Sequence, residues 1–187
     1  MPLSKGRRNK NNQATSAEES SPTTDGGRSP INIDAITTVM VRNIPTRYTS
    51  LGLIEVLKDH GFDKTFDFIY LPMDWRTRKN CGYAFLNFIN SEYVEKFMSQ
   101  FQGLQLKANT SQKTLEIIPS RRQGFFENIG VFGASELLTS NVQQPHFKPL
   151  VMVHGELVPL TDKLYDQLII GRSVSHQLLN PPQIKVE

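Results

Sequence analysis

The chain has 187 residues, 38% of them hydrophobic, which suffices for one domain of ordinary size with flanking tails. A net charge of +3 permits nucleic-acid binding without indicating it. The single cysteine excludes an internal disulfide and a cysteine-based metal site. Because the sequence shows no apolar run of membrane-spanning length and no signal-peptide core, we expect no membrane contact and an intracellular location, in the nucleus, the cytoplasm or both.

The first segment, residues 1–34, is rich in Ser, Thr, Asn, Gly and Pro and almost free of large apolar side chains. Such a composition cannot bury enough surface to offset the entropy lost on folding, so it predicts a disordered tail. The basic run from Lys5 to Lys10 fits a nuclear-import or RNA-binding patch, and it fits a solubilising tail equally well.

From residue 35 onward the pattern becomes regular and predicts an α+β domain over 35–122. Its element order is β-α-β-β-α-β, the split β-α-β (ferredoxin-like) unit, with a four-stranded antiparallel sheet, two helices on one face and the other face open. Helices are predicted from Thr49 or Ser50 to His60 and from Ser91 to Gly103. The predicted strands are 38–43, 66–71, 82–88 and 115–118.

The third predicted strand carries the most informative motif, the octamer Cys81–Phe88. Tyr83 and Phe85 point to one face of this strand. The residues pointing to the opposite face, toward the core, are Ala84, Leu86 and Phe88. Two rings on an open sheet face form a surface on which unpaired bases can stack, and the octamer matches the aromatic motif of the RNA recognition motif. Taken alone, it fits a buried aromatic strand about as well.

The first predicted strand supplies the matching partner motif, the hexamer Val39–Ile44. Val39 and Val41 face the core, whereas Met40 and Arg42 face outward, with Met40 in place of the usual aromatic residue. The hexamer and the octamer together, about forty residues apart, predict the RNA recognition motif fold.

Other candidate RNA contacts flank these two strands. The loop before the octamer carries three cations suited to phosphates, together with Trp75, which could stack or could cover the edge of the core. On the second strand, Phe68 and Tyr70 are placed on the open face, although a slip of one residue would reverse this. The predicted RNA-binding residues are Met40, Arg42, Asn43, Phe68, Tyr70, Trp75, Arg76, Arg78, Lys79, Tyr83, Phe85, Asn87, Arg121 and Arg122.

The segment after Arg122 is too apolar to remain in water, since it contains Phe125, Phe126 and Ile129. We therefore predict an extension over 123–160 that docks on the domain, with a short helix near 123–139. A further short helix, near 161–171, and a loose tail complete residues 161–187. The extension could pack on the helices, cross the open face as a gate, or extend the RNA surface from an edge of the sheet, which is the position we favour.

Several local runs resemble the C-terminal RNA recognition motif of the Mei-two-like family. They are Arg42–Thr49, Asp67–Trp75, Gly82–Phe88 and Ser120–Gly124. The resemblance covers about 37–153. It implies a single-stranded RNA-binding protein, a post-transcriptional regulator of the kind that acts in meiosis and development.

Two other classes of function compete with RNA binding. One is an RNA-recognition fold used as a protein-protein interaction module, through its helical face or its C-terminal extension. The other is an enzyme on the same scaffold with Arg47 in the first turn. Against an enzyme, the histidines lack metal-ligand spacing, and Gly171–Ser175 lacks the final glycine of a nucleophile elbow. We predict a monomer with no catalytic residue, metal or cofactor that binds single-stranded RNA, with a protein partner for the extension as a second option.

Overall fold

The structure, a computed structural model, describes residues 36–107, 112–133 and 147–179, with side chains up to 131 and 172 in the last two ranges. The predicted tail over 1–34 and most of the predicted loose end lie outside these ranges. The helices are α1 Ser50–Asp59, α2 Ser91–Phe101, α3 Phe125–Gly133 and α4 Asp162–Leu179. The strands are β1 Thr38–Arg42, β2 Phe66–Tyr70, β3 Met73–Asp74, β4 Lys79–Asn80, β5 Tyr83–Phe88, β6 Glu116–Pro119, β7 Leu150–Val153 and β8 Glu156–Pro159.

The predicted β-α-β-β-α-β order is confirmed by β1, α1, β2, β5, α2 and β6. Helix α1 begins after Thr49, whose Oγ1 accepts a hydrogen bond from the Gly52 backbone N–H at 3.1 Å. Helix α2 begins at Ser91, as predicted, and the residue before it is the N-cap, because Asn90 Oδ1 accepts from the Tyr93 N–H at 3.1 Å. Local capping chemistry therefore fixes both helix starts.

The main sheet has six strands in the order β6-β1-β5-β2-β7-β8, two more than predicted. The additional pair is a hairpin that joins the free edge of β2, with Val151 opposite Phe68 and Leu150 opposite Ile69. Its strands are joined by the two-residue turn His154–Gly155, and both residues have positive φ (50° and 84°), as a type I′ turn requires. This hairpin was not predicted from the sequence.

One face of the sheet packs against α1 and α2, as predicted. The alternation of β5 is confirmed, since its core-facing residues are fully buried with residues of β1 and the two helices. Edge-to-face and stacked rings fill the space around Phe62, Phe97 and Phe101. Burial of each such ring contributes about 1.5–3 kcal/mol.

The other face was predicted to be open, and this is wrong for about half of it. Helices α3 and α4 lie over it and form a second core around Phe68, Tyr70 and Ile129. The helices cover this face because both surfaces are apolar. Strands β2 and β7 present large side chains on it, and α3 and α4 each carry an apolar stripe that is buried against them. The extension thus occupies two of the three positions considered, with the β7–β8 hairpin at the edge and α3 across the face.

A hydrogen-bond network fastens α3 to the sheet, and we call it the Thr38 latch (Thr38, Asn87, Gln123 and Asn128). Thr38 Oγ1 donates to Asn87 Oδ1 at 2.7 Å and accepts from Asn128 Nδ2 and the Gly124 N–H, both at 3.0 Å. Gln123 Oε1 accepts from the Thr38 N–H at 2.8 Å, and its Nε2 donates to the Thr38 carbonyl at 3.0 Å. A buried polar network with its partners in place specifies one docking geometry.

Candidate nucleic-acid interface

The strand registers arrange the second face into three rows across the sheet, because directly opposed residues point the same way. The buried row is Thr38, Asn87, Phe68 and Val151. The middle row is Ile118, Met40, Phe85 and Tyr70. The open row is Glu116, Arg42 and Tyr83. Exposure increases from the first row to the third, so the face is closed at one end and accessible at the other.

The buried row contains two of the predicted RNA contacts, Phe68 and Asn87. They are 0% and 2% exposed, so neither can reach a base in this arrangement. Asn87 uses its amide inside the protein, accepting from Thr38 and donating through Nδ2 to Asp67 Oδ1 at 2.7 Å. Burial raises the pKa of Asp67, and the hydrogen bond from Asn87 opposes part of that rise. These residues serve the fold beneath α3.

The middle row is a border between covered and accessible surface. Tyr70, also predicted to contact RNA, is 6% exposed, and burial raises its pKa to about 12, with a smaller contribution from Tyr83. Phe85 is half-buried at the edge of the second core. Its ring meets Tyr83 edge-to-face at a centroid distance of 5.7 Å. Met40 is also half-buried.

The open row lies where β1 ends and β5 begins. Tyr83 is half-buried there, and the exposed Arg42 lies 3.7 Å from Glu116 in an ion pair that is too solvent-exposed to contribute much to stability. The next residue, Asn43, is exposed with φ of 63° and donates to the Thr114 carbonyl at 3.0 Å. The predicted contacts Arg42 and Asn43 thus lie beside Tyr83.

The β3–β4 hairpin, Met73–Asn80, extends from this same end of the sheet. Asp74 Oδ1 accepts from the backbone N–H groups of Arg76 and Thr77 at 2.8 and 3.2 Å, which holds the pKa of Asp74 below its ordinary value. The turn presents Trp75 outward with 76% exposure, so Trp75 does not cover the core edge. The three cations predicted to contact phosphates, Arg76, Arg78 and Lys79, are exposed on this hairpin.

Asn80 anchors the hairpin and was missed by the sequence analysis. Its buried side chain donates to the carbonyls of Pro45 and Tyr48 at 2.8 and 2.9 Å and accepts from the Gly82 N–H at 2.7 Å. Gly82 has φ of 83°, which favours glycine at this turn into β5. An Asn two residues before a Gly at a strand start is the signal that could have identified this anchor.

Arg121 and Arg122 do not join this cluster. They follow β6 at the end of the sheet where the Ser120 N–H donates to the Thr38 carbonyl, at 2.9 Å. Both are exposed, but they lie beyond the buried row, at the opposite end from the β3–β4 hairpin. The predicted RNA surface is therefore divided by the helical cover.

The described ranges contain no helix long and apolar enough to cross a membrane. Within them, His, Cys, Asp and Glu side chains nowhere form a group of three able to hold a metal ion.

A β-α-β-β-α-β domain with aromatic residues on adjacent outward positions of its central strand is an RNA recognition motif.

Comparisons with known proteins agree with this class. The family model of RNA recognition motif 2 matches residues 36–132. Protein MEI2-like 5 of Oryza sativa subsp. japonica is 36% identical over 108 residues, which is 58% of this chain and 13% of the relative. Protein MEI2-like 1 of Arabidopsis thaliana is 33% identical over 132 residues, 67% of this chain and 14% of the relative. The chain belongs to the RNA recognition motif 2 family and is a Mei-two-like RNA recognition motif, which confirms the resemblance.

The chain spans only 13–14% of the length of these relatives. Among solved structures, the Rna15 RNA recognition motif with bound RNA (GU) is 20% identical, with a TM-score of 0.40 over 47% of this chain and 86% of that chain.

Proposed function

We propose that this protein binds single-stranded RNA at the open end of its sheet, which comprises the open row and the β3–β4 hairpin. Tyr83 and Trp75 stack on bases, and Arg42, Arg76 and Lys79 contact phosphates. The observation that carries the proposal is the position of Tyr83 on the uncovered end of β5, beside an anchored hairpin whose Trp75 is 76% exposed. Membership of the RNA recognition motif family supports RNA as the ligand.

Preorganisation distinguishes this surface from a collection of exposed side chains. Asn80 fixes the base of the hairpin, and the carboxylate of Asp74 fixes its turn, so Trp75 projects from a defined backbone. Binding of an RNA strand there orders few additional protein residues, which lowers the entropic cost of association. The cations on the same hairpin provide the sequence-independent attraction to phosphates that dominates nucleic-acid affinity.

The regulatory role is part of the proposal. A domain that stacks bases on two rings and holds phosphates through flexible cations suits the recognition of unpaired transcript segments. Post-transcriptional regulation in the nucleus or the cytoplasm is the function we infer for it. A protein partner for the extension stays a prediction, and the apolar faces of α3 and α4 that could have served such a partner pack on the sheet instead.

The test is an affinity measurement on single-stranded RNA with single aromatic substitutions. Tyr83→Ala and Trp75→Ala should each weaken binding by ~1–3 kcal/mol, the typical contribution of one stacked base. Tyr93→Ala is the matched control, because Tyr93 is a half-buried tyrosine on α2, on the far side of the sheet. Circular dichroism confirms that each variant is folded at the assay temperature.

Equal affinities for the wild type, Tyr83→Ala, Trp75→Ala and Tyr93→Ala would show that the open end is not the RNA site. A folded wild-type protein that shifts no single-stranded RNA in a gel would favour the protein-binding module instead.

A further inference from the structure

We infer that this domain stacks one base on its sheet, at Tyr83, and one on its hairpin, at Trp75, and that it has a short, sequence-tolerant RNA footprint. The inference rests on the proposed RNA binding and specifies its ligand. An open sheet of this type stacks two or three bases on the aromatic residues of its central strands. Here the protein's own C-terminal helices cover the two outward rings of β2, Phe68 and Tyr70, and pack against Phe85 on the central strand β5.

Two rings that could have extended the stacking surface are covered by the helices. Phe68 and Tyr70 lie on the outward face of β2, where they would extend the stacking surface beside β5, but they are 0% and 6% exposed. Ile129 of α3, itself fully buried, packs with them in the second core. A base could stack on either ring only after α3 had left the sheet.

Hydrogen bonds and a ring contact hold this helical cover on the sheet. The Thr38 latch joins α3 to β1 and β5 through hydrogen bonds of 2.7–3.0 Å, and its Thr38, Asn87 and Asn128 side chains are buried. Release would break the hydrogen bonds that Thr38 makes with Gly124 and Asn128 and would expose the apolar second core to water. On the outer side, the Arg172 guanidinium lies 4.8 Å from the Phe126 ring centroid, which ties α4 to α3.

The remaining groups define the footprint. Tyr83 and Phe85 are both half-buried and meet edge-to-face, but Phe85 packs against the second core, whereas Tyr83 lies outside that core in the open row. Met40 offers no ring beside them. The amide of Asn87, which could have read a base edge, uses both its oxygen and its nitrogen inside the protein. Stacking is tolerant of base identity, so a site built from Tyr83 and Trp75 discriminates little between bases.

The experiment counts the stacked bases at constant phosphate charge. The probes are ten-nucleotide RNA backbones that are abasic except for one to five adjacent uridines at the centre. Affinity for the full-length protein should rise ~5–150-fold with each of the first two uridines. Further uridines should add less than ~3-fold, which is the statistical gain from additional registers. Replacing the uridines with cytidines or adenosines should preserve the two-step pattern.

Variants assign each step to a ring. Tyr83→Ala and Trp75→Ala should each remove one step, whereas Phe68→Leu should leave both steps in place. Since Phe68→Leu lowers stability, wild-type protein is also crosslinked to RNA that contains 5-iodouridine. Crosslinks are expected at Tyr83 and Trp75.

Two results would overturn the inference and leave RNA binding intact. One is a third or fourth step of ~5-fold or more, and the other is crosslinking to Phe68 or Tyr70, which shows that the helices leave the sheet when RNA binds. Failure of every probe and of unmodified RNA to bind would overturn the proposed function as well.

Discussion

Replacing Ile129 with Ala tests whether α3 is a structural part of the domain. Ile129 is 0% exposed and packs in the second core with Phe68, Tyr70, Val151 and Leu160. The substitution removes three side-chain carbons, and at ~0.8 kcal/mol for each buried carbon the lost transfer free energy is about 2.4 kcal/mol. The cavity left behind adds to this, so the free energy of unfolding should fall by about 2–5 kcal/mol.

The assay is urea unfolding followed by far-ultraviolet circular dichroism, in which the midpoint should fall at an unchanged slope. The melting temperature should fall by roughly 5–15 °C. Glu127→Ala is the matched control, because Glu127 lies on the exposed face of the same helix and its replacement should change stability by no more than ~0.5 kcal/mol. If Ile129→Ala and Glu127→Ala unfold at the same midpoint, α3 does not pack on the sheet and the second core is wrong.

Three further predictions follow from the charges of the molecule. Asp67→Asn should raise the free energy of unfolding at pH 7, because burial raises the pKa of Asp67 and so disfavours its charged form in the folded state. The gain in the free energy of unfolding should shrink as the pH falls, because the wild-type carboxyl then takes up its proton. A gain that is absent or independent of pH in urea midpoints would contradict this. The pKa of Tyr70 is raised from 10.0 to about 12, so the folded state should lose stability between those pH values, because the unfolded chain ionises first. Tyr70→Phe should therefore show a smaller loss of stability with rising pH in the same assay. Lys79→Gln should lower the slope of log affinity against log salt concentration by ~0.7, and Lys96→Gln on α2 should leave it unchanged; equal slopes for the two variants would remove Lys79 from the phosphate contacts.

The strand faces could be predicted from the sequence because side chains alternate strictly along a strand. Tyr83 and Phe85 do point away from the first core, and Phe68 and Tyr70 do lie on that same face. Their exposure could not be predicted. An outward aromatic residue suits a stacked base and a second core equally well, and the choice depends on α3 and α4, which lie far along the chain.

The missed hairpin had a local signal. The run from Leu150 to Pro159 has a short apolar stretch on each side of His154–Gly155, a two-residue turn with glycine second, which is the position that type I′ turns favour for it. The whole run lies inside the extension over 123–160 that was predicted to dock on the domain, and the two halves of the run were not predicted to pair with each other. The anchoring role of Asn80 was not predicted for another reason. Its three hydrogen bonds connect a loop to a turn, and the periodicity of side chains along a helix or strand does not indicate such contacts.

The β7–β8 hairpin also determines how this protein protects itself against self-association. Without it, β2 would be an edge strand with an almost wholly apolar sequence, and its free N–H and C=O groups would be a template for a second chain. The hairpin covers that edge and moves the end of the sheet to β8. That strand has only four residues, begins at the charged Glu156 and ends at Pro159, which has no N–H to donate. The sheet therefore ends in a strand that pairs poorly with a second chain. Truncation of the chain after residue 132 would remove the hairpin and expose β2 as an aggregation site.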